Sequence, residues 1–327
     1  MTTYKGINGF AVQSLATDPT FDEGQVWYNN ATYDFKLAAA TTVGTWASGG
    51  SLPTATDNNA AAGIQTAAIT FGGDNPGGTD TTASYLYNGT SWTPSPALNT
   101  GRRYLMGCGS QTTALAIGGI QGASQQTATE LYNGTSWTSN PTGLTRPTSR
   151  YDGAAAGTQT SALVFGGEPV TAATESWNGS AWTSVNSLNT ARHALAGSGI
   201  QTAALAFGGS TPSLSGATES WNGTSWTTSP ASLNTARDSL ESAVSATQTA
   251  SLAFGGATPT ITGATELYNG TTWATNPNSL ATARTRGAGA GNQTSALMMG
   301  GATPTRQTIT EEWTGPGSPV TQTITTS

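Results

Sequence analysis

The chain has 327 residues, 9% of them charged, and a formal net charge of −6. Soluble domains usually carry about 25% charged residues, and the sparse positive charge argues against binding to nucleic acid. The single Cys108 and the single His193 exclude an internal disulfide and a metal centre built from several histidines or thiolates, and they argue against a catalytic triad. We therefore expect no enzymatic activity, no cofactor and no metal.

The amino-terminal segment, residues 1–40, lies outside the repeat that fills most of the chain. Residues 1–19 do not combine a basic start with an apolar run, so we expect no secretory signal. No stretch is long and apolar enough to predict insertion into a membrane. Val12–Pro19, Glu23–Asn29 and Phe35–Leu37 predict a small hairpin.

A unit of about 45 residues recurs through residues 41–316. Each unit has a Gln-Thr pair, a double glycine and an aromatic residue, and in the first five units the aromatic residue precedes an Asn-Gly turn, which is a strong hairpin signal. The Gln-Thr pairs begin at Gln65, Gln111, Gln159, Gln201, Gln248 and Gln293. The double glycines begin at Gly72, Gly118, Gly166, Gly208, Gly255 and Gly300.

Tryptophan recurs after the turn, and we predict that these side chains form the cores of the repeated units. They are Trp92, Trp137, Trp182, Trp226 and Trp273. The sixth unit has no tryptophan there, but Trp46 precedes Trp92 by one period, so the strand around Trp46 is expected to complete the sixth unit. Four short strands in each unit, repeated radially, are typical of a β-propeller.

One complete unit carries Arg192, Ala204–Gly209, Glu219–Gly223, Trp226 and Leu233–Arg237. This order resembles a kelch repeat, and the resemblance extends over residues 42–314. It implies an all-β fold, a kelch-type β-propeller of four-stranded blades. The six Gln-Thr and double-glycine blocks, together with Trp46, predict a six-bladed propeller whose last blade is closed by the strand around Trp46. Some kelch propellers are copper radical oxidases, which need histidine ligands and a Cys-Tyr crosslink that this chain cannot supply.

Two charged positions recur within the units. The arginines are Arg102, Arg150, Arg192, Arg237 and Arg284, and the glutamates are Glu130, Glu175, Glu219, Glu266 and Glu311. The first unit lacks both charges, because it has Thr56 and Tyr85 in these positions. The charges could form a ligand-binding ring or a series of buried ion pairs. We favour ion pairs, because isolated buried charges are costly.

Other polar residues give weaker signals. We interpret His193 as incidental and Cys108 as a small packed side chain. Asp57, Asp74 and Asp80 lack the spacing of a known calcium loop. The Asn-Gly turns also match the glycosylation acceptor pattern, but we interpret them as hairpin turns. They begin at Asn88, Asn133, Asn178, Asn222 and Asn269.

The two ends of the chain bear on function. Glu23–Asn29, followed by a short strand, resembles a leader of bacteriophage structural and tail-associated proteins, especially those of marine phages. Together with the kelch units, this resemblance implies a non-enzymatic virion component that contacts other virion proteins or copies of itself. Loops that differ between units, such as residues 74–82 and 168–172, would contact a host glycan or protein. The alternative is a bacterial surface adhesin or filament subunit, located outside the cell.

The carboxyl-terminal tail, residues 317–327, is uncharged and β-prone. It could pair with the amino-terminal hairpin of its own chain or with a neighbouring subunit. The absence of charge favours pairing with a neighbouring subunit.

Overall fold

The computed structural model describes residues 4–5, 11–17, 25–40, 43–145, 150–317 and 319–324. Every regular element in these ranges is a β-strand. The chain forms two compact units, the first from residues 1–44 and 314–327 and the second from residues 45–313.

The strands are short and follow the repeat closely. The first are β1 (Tyr4–Lys5), β2 (Ala11–Leu15), β3 (Val26–Asn29), β4 (Asp34–Ala40), β5 (Thr45–Ser48), β6 (Ala60–Ile64), β7 (Ala67–Phe71), β8 (Ser84–Tyr87) and β9 (Trp92–Ser95). Next come β10 (Met106–Gly109), β11 (Ala114–Ile117), β12 (Ile120–Gln121), β13 (Ser124–Gln125), β14 (Thr129–Tyr132), β15 (Trp137–Ser139), β16 (Ala154–Thr158), β17 (Ser161–Phe165), β18 (Thr174–Trp177) and β19 (Trp182–Val185).

The second half of the chain repeats the pattern. Its strands are β20 (Ala196–Ile200), β21 (Ala203–Phe207), β22 (Ser210–Thr211), β23 (Ser213–Leu214), β24 (Ala217–Trp221), β25 (Trp226–Ser232), β26 (Glu241–Ser242), β27 (Ser251–Phe254), β28 (Thr265–Tyr268) and β29 (Trp273–Asn276). The last are β30 (Ala288–Gly291), β31 (Ser295–Met299), β32 (Ala302–Thr303), β33 (Thr305–Arg306), β34 (Thr310–Thr314) and β35 (Pro319–Ile324).

The described part of the first compact unit is a five-stranded sheet in the order β1-β2-β3-β4-β35. Strands β3 and β4 form the predicted hairpin, whereas β2 lies parallel to β3 because a longer connection joins them. Strand β35 pairs antiparallel with β4, from Pro319 opposite Ala40 to Ile324 opposite Phe35. Of the two pairings considered for the tail, the structure contains the one with the amino-terminal hairpin of the same chain. Pairing with a neighbouring subunit stays a prediction.

Within the described residues, the second compact unit contains six four-stranded sheets, which have the propeller-like arrangement of strands. We number them 1 to 6 in the order of their first strands. Sheet 1 is β6-β7-β8-β9, sheet 2 is β10-β11-β14-β15, sheet 3 is β16-β17-β18-β19, sheet 4 is β20-β21-β24-β25, sheet 5 is β26-β27-β28-β29, and sheet 6 is β30-β31-β34-β5. The strand that contains Trp46 is therefore the outer strand of sheet 6.

The first strands of successive sheets contact one another, and β30 also contacts β6. Their small residues are needed for this close approach. A Cβ atom on Gly107 would lie 2.9 Å from the carbonyl oxygen of Ala61, and one on Gly289 would lie 2.0 Å from that of Ser242. Side chains larger than hydrogen would push these strands apart.

The buried apolar residues of the described ranges form six clusters, and each cluster joins two neighbouring sheets. Phe71 of sheet 1 packs against Trp137 of sheet 2, with ring centroids 4.8 Å apart. The cluster that contains Leu52, Ala61 and Leu297 joins sheets 1 and 6. Apolar burial therefore holds each sheet to both of its neighbours.

The repeated glutamines explain another part of the pattern. Gln111 donates through Nε2 to the carbonyl oxygens of Ala68 and Tyr87, both in the preceding sheet. The other five repeated glutamines bond equivalent carbonyls, and Gln65 reaches sheet 6 through Ala296 and Trp313. Each glutamine thus pairs polar backbone groups across a boundary between sheets.

Candidate ligand-binding site

The predicted charged residues lie inside the sheets, away from solvent. Each recurring arginine forms an ion pair with the glutamate of the same unit, and none of these ten side chains is more than 2% exposed. Nη2 of Arg192 lies 2.9 Å from Oε1 of Glu219. Burial lowers the pKa of Arg192, and the charge of Glu219 opposes that effect. At this burial the pairs are out of reach of a ligand.

The glutamates also connect neighbouring units. The second carboxylate oxygen of Glu130 accepts a hydrogen bond from the backbone N–H of Asn99, at 2.7 Å. Glu219 accepts the corresponding bond from Asn189, at 2.7 Å. Each donor lies in the loop that follows the preceding sheet, so one carboxylate satisfies a buried cation and a backbone donor from the neighbouring unit.

The predicted core tryptophans lie between the sheets. Trp92, Trp137, Trp182, Trp226 and Trp273 are buried, and Trp46 is half-buried against the cluster of sheets 5 and 6. Nε1 of Trp226 donates to the Thr174 hydroxyl at 3.0 Å. Equivalent bonds to a threonine of the preceding sheet are made by Trp46, Trp92, Trp182 and Trp273.

Cys108 and the three aspartates have structural surroundings. Burial raises the pKa of the Cys108 thiol to about 12, as expected for a packed side chain. Asp57 and Asp74 each lie 2.7 Å from the guanidinium of Arg306, and Asp80 pairs with Arg103. Within the described residues, no group of three or more His, Cys, Asp or Glu side chains could hold a metal ion.

Another set of six residues surrounds a central pocket. They lie two positions after the recurring arginine position of each unit, and we call them the mouth ring. They are Asn58, Tyr104, Asp152, Ala194, Ser239 and Arg286. All six have φ between 49° and 58°, which is uncommon for residues other than glycine.

Backbone hydrogen bonds join the mouth ring into a cycle. The N–H of each residue donates to the carbonyl of its equivalent in the preceding unit, and Asn58 donates to Arg286, at distances between 2.7 and 3.2 Å. The cycle accounts for the unusual backbone conformation, because it satisfies these donors at the cost of local strain. It also holds the six side chains in a fixed arrangement.

The central pocket has a volume of about 100 Å³ and lies at the starts of the first strands. Its polar lining includes the mouth ring and Glu241, which is the first residue of β26. Burial, together with the charge of Asp152, raises the pKa of Glu241 well above its usual value. Poor solvation at this position makes the charged form of the carboxyl group unfavourable.

Further polar residues extend the site outward from the mouth ring. His193 Nδ1 lies 3.4 Å from Asp152 Oδ2 and 3.8 Å from Glu168 Oε2. The hydrogen bond between the His193 ring and the Asp152 carboxylate, which accepts it, is the main cause that raises the pKa of His193. The rings of Tyr104 and Tyr151 have centroids 5.7 Å apart. His193 thus lies beside two carboxylates, one of which lines the pocket, and its interpretation as incidental stays a prediction.

Sequence reasoning missed the mouth ring because each unit has a different residue there. The signal that could have revealed it is a position of constant offset whose residue type varies among units. The loops that the sequence singled out border this ring: Asp57 bridges to Asp74, and Tyr151 bridges to Glu168. The arrangement offers carboxylates, an amide, a guanidinium and aromatic rings around one pocket, which suits the binding of a small polar group.

Comparison with protein-family models finds no match, and neither does comparison with curated proteins. In the ranges that the structure describes, no helix is long and apolar enough to cross a membrane.

Proposed function

We propose that the six sheets are the blades of a closed, six-bladed, kelch-like propeller whose last blade is completed by β5. The cycle of backbone hydrogen bonds through the mouth ring supports this architecture, as do the core cluster and the Gln65 bonds between sheets 1 and 6. Trp46→Ala should then weaken the whole propeller in one cooperative transition. Separate unfolding of sheet 6 alone would contradict closure by β5.

We also propose that this propeller is a non-enzymatic binding scaffold, and that it works as part of a bacteriophage virion. The observation that carries the binding role is the distribution of charge. The five ion pairs are buried, whereas Asp152, Glu241 and Arg286 are gathered around the central pocket. The mouth ring and its bordering loops would contact a host-surface glycan or protein.

The virion role rests on the resemblance of the amino-terminal leader, and it requires a test of its own. Virus particles purified from a culture that produces this protein should contain it in constant ratio to the capsid protein, as measured by mass spectrometry. A protein found only on the bacterial surface or in filaments would favour the adhesin alternative instead.

The binding role is tested by adsorption of the purified full chain to host cells. We expect Arg286→Ala to reduce adsorption, because it removes an exposed guanidinium at the pocket. Ile200→Thr is the matched control, since Ile200 is 56% exposed at the far end of β20. Equal loss in both variants would contradict binding at the mouth ring.

A further inference from the structure

Glu241 is a charged residue that lines the central pocket. In the part of the chain that the structure describes, its carboxylate has neither a hydrogen-bond donor nor an ion-pair partner, although it lines the pocket and is half-buried. Asp152, from a different unit, lines the same pocket, and its negative charge contributes to raising the pKa of Glu241. Two carboxylates that face one pocket repel each other. His193 lies 3.4 Å from Asp152, whereas no described cation pairs with Glu241.

Asn58 supplies a third oxygen. The residue is only 6% exposed and lines the pocket, and its Oδ1 accepts no hydrogen bond from any described residue. A buried acceptor that has no donor costs free energy, so a ligand that brings a donor to it gains affinity. The pocket therefore combines two carboxylates with an unpaired amide oxygen.

We propose that the central pocket binds the primary ammonium group of an amino sugar, held by Glu241, Asp152 and the side-chain oxygen of Asn58. This inference rests on the proposed binding function and names the ligand class for the same site. An ammonium group has three N–H donors and no acceptor, which matches three oxygen acceptors. Its positive charge also relieves the repulsion between the two carboxylates.

The rim of the pocket favours a sugar as the carrier of the ammonium group. The half-buried Tyr104 contacts Tyr151, and together they present aromatic surface of the kind on which a sugar ring packs. The exposed guanidinium of Arg286 makes no ion pair within the described residues and can donate to ring hydroxyls. A lysine side chain carries the same charge on an unbranched alkyl chain and would leave these groups unused.

The test compares a glucosamine tetrasaccharide with its N-acetylated counterpart, by calorimetry on the full chain at pH 7. Acetylation removes the charge and leaves the ring unchanged, so we expect at least tenfold weaker binding of the acetylated sugar. Glu241→Gln should weaken binding of the amino sugar by at least tenfold. Glu312→Gln, which removes one negative charge outside the pocket, should leave it unchanged.

A second variant guards against loss of folding. Asn58→Asp should bind the amino sugar more tightly, because it adds a negative charge, and aspartate tolerates the backbone conformation at this position. Equal binding of both sugars, or amino-sugar binding that is unchanged in Glu241→Gln, would overturn the ammonium assignment. Binding of a lysine peptide in place of the sugar would overturn the amino-sugar assignment.

The proposed function can fail separately. If neither sugar binds but Arg286→Ala still reduces adsorption to host cells, the amino-sugar inference is overturned and the binding scaffold stands. If wild-type protein does not adsorb to host cells yet binds the amino sugar in a Glu241-dependent way, the inference stands and host recognition is overturned.

Discussion

In sheets 2 to 6, a buried arginine and glutamate occupy equivalent positions, whereas sheet 1 has Thr56 and Tyr85 there. Sheet 1 also has Ser84 where the other sheets have the threonine that accepts a bond from tryptophan. The described part of the chain offers no partner to the Ser84 hydroxyl or to Nε1 of Trp137. Sheet 1 therefore lacks two of the recurring polar contacts.

The missing ion pair leaves a cavity of about 220 Å³, lined by Thr56, Gly72, Ala83 and Tyr85 among others. In sheet 2 the equivalent space holds Arg102, which donates to the carbonyl oxygens of Gly118 and Ala128. Among the described residues, nothing bonds to the buried Thr56 hydroxyl. Sheet 1 thus lacks the guanidinium group that donates to the equivalent backbone carbonyl oxygens in sheet 2.

Sheet 1 has a different set of ion pairs nearer the surface. Arg306, in the hairpin of sheet 6, lies 2.7 Å from both Asp57 and Asp74, and its side chain is 27% exposed. A solvent-exposed ion pair adds little to the free energy of unfolding. Removing one partner of a buried pair lowers that free energy much more. Sheet 1 therefore replaces a buried ion pair by partly exposed ones, and we expect it to depend less on any single charge.

The largest effect is expected for Arg192→Ala in sheet 4. The substitution leaves the carboxylate of Glu219 buried without its cation, which should cost about 3–5 kcal/mol. Chemical denaturation with a fitted free energy of unfolding measures the loss. Thr56→Ala is the matched control at the same position of sheet 1 and should cost far less. An unchanged midpoint for Arg192→Ala would contradict a structural role for the pairs.

The second prediction rebuilds the missing pair in sheet 1. Thr56→Arg alone should destabilise the chain, because it buries an unpaired charge in the cavity. Adding Tyr85→Glu should recover part of the loss, with a coupling free energy of about 1–3 kcal/mol in a double-mutant cycle. Additive effects of the two substitutions would show that the two positions do not form a pair in sheet 1.

The third prediction restores a single hydrogen bond. Ser84→Thr should stabilise the chain by about 1 kcal/mol, because a threonine hydroxyl accepts from tryptophan Nε1 in the other sheets. Thr174→Ser in sheet 3 is the reciprocal change and should lose a similar amount if the methyl group positions the hydroxyl. Thermal unfolding of both variants measures the pair of effects, and equal signs would refute this explanation.

The recurring strands and turns could be predicted because the same residues have the same structural role in every unit. The double glycines and the Asn-Gly turns mark strand ends, and the joint absence of Arg and Glu in the first unit indicated that they are partners. The bond from Gln111 to Ala68 could not be predicted, because it crosses between units and depends on how two sheets pack. Spacing within one unit carries no information about that distance.

The repeat pattern does not predict the candidate site, for a related reason. Residues that serve packing recur, whereas Asn58, Tyr104 and Asp152 differ because they face a shared pocket from different directions. Glu241 stands where the other units have alanine or methionine, and this departure from the repeat is a signal that the sequence reasoning did not use. The pairing of β35 with β4 likewise joins two segments that are far apart in the chain.

The smallest effect is expected for Arg306→Gln, and it should depend on pH. Burial raises the pKa of Asp57 in the folded chain, while Arg306 lowers it. A carboxyl whose pKa is higher in the folded chain than in the unfolded chain lowers the free energy of unfolding as pH rises from the unfolded pKa to the folded one. Removing Arg306 raises the folded pKa of Asp57 further and so makes this decrease larger. We expect the variant to match wild type near pH 3 and to fall below it by less than about 1 kcal/mol at pH 7.

The measurement is a series of thermal unfolding curves between pH 3 and pH 7, at low and at high salt. Added salt should narrow the difference at pH 7, since the guanidinium is partly exposed and its field is screened. A loss as large as that of Arg192→Ala, independent of pH and salt, would mean that the surface pairs of sheet 1 stabilise it as strongly as the buried pairs stabilise its neighbours. The ion pairs of sheet 1 and those of sheets 2 to 6 would then differ in where they lie and not in how much they stabilise the chain.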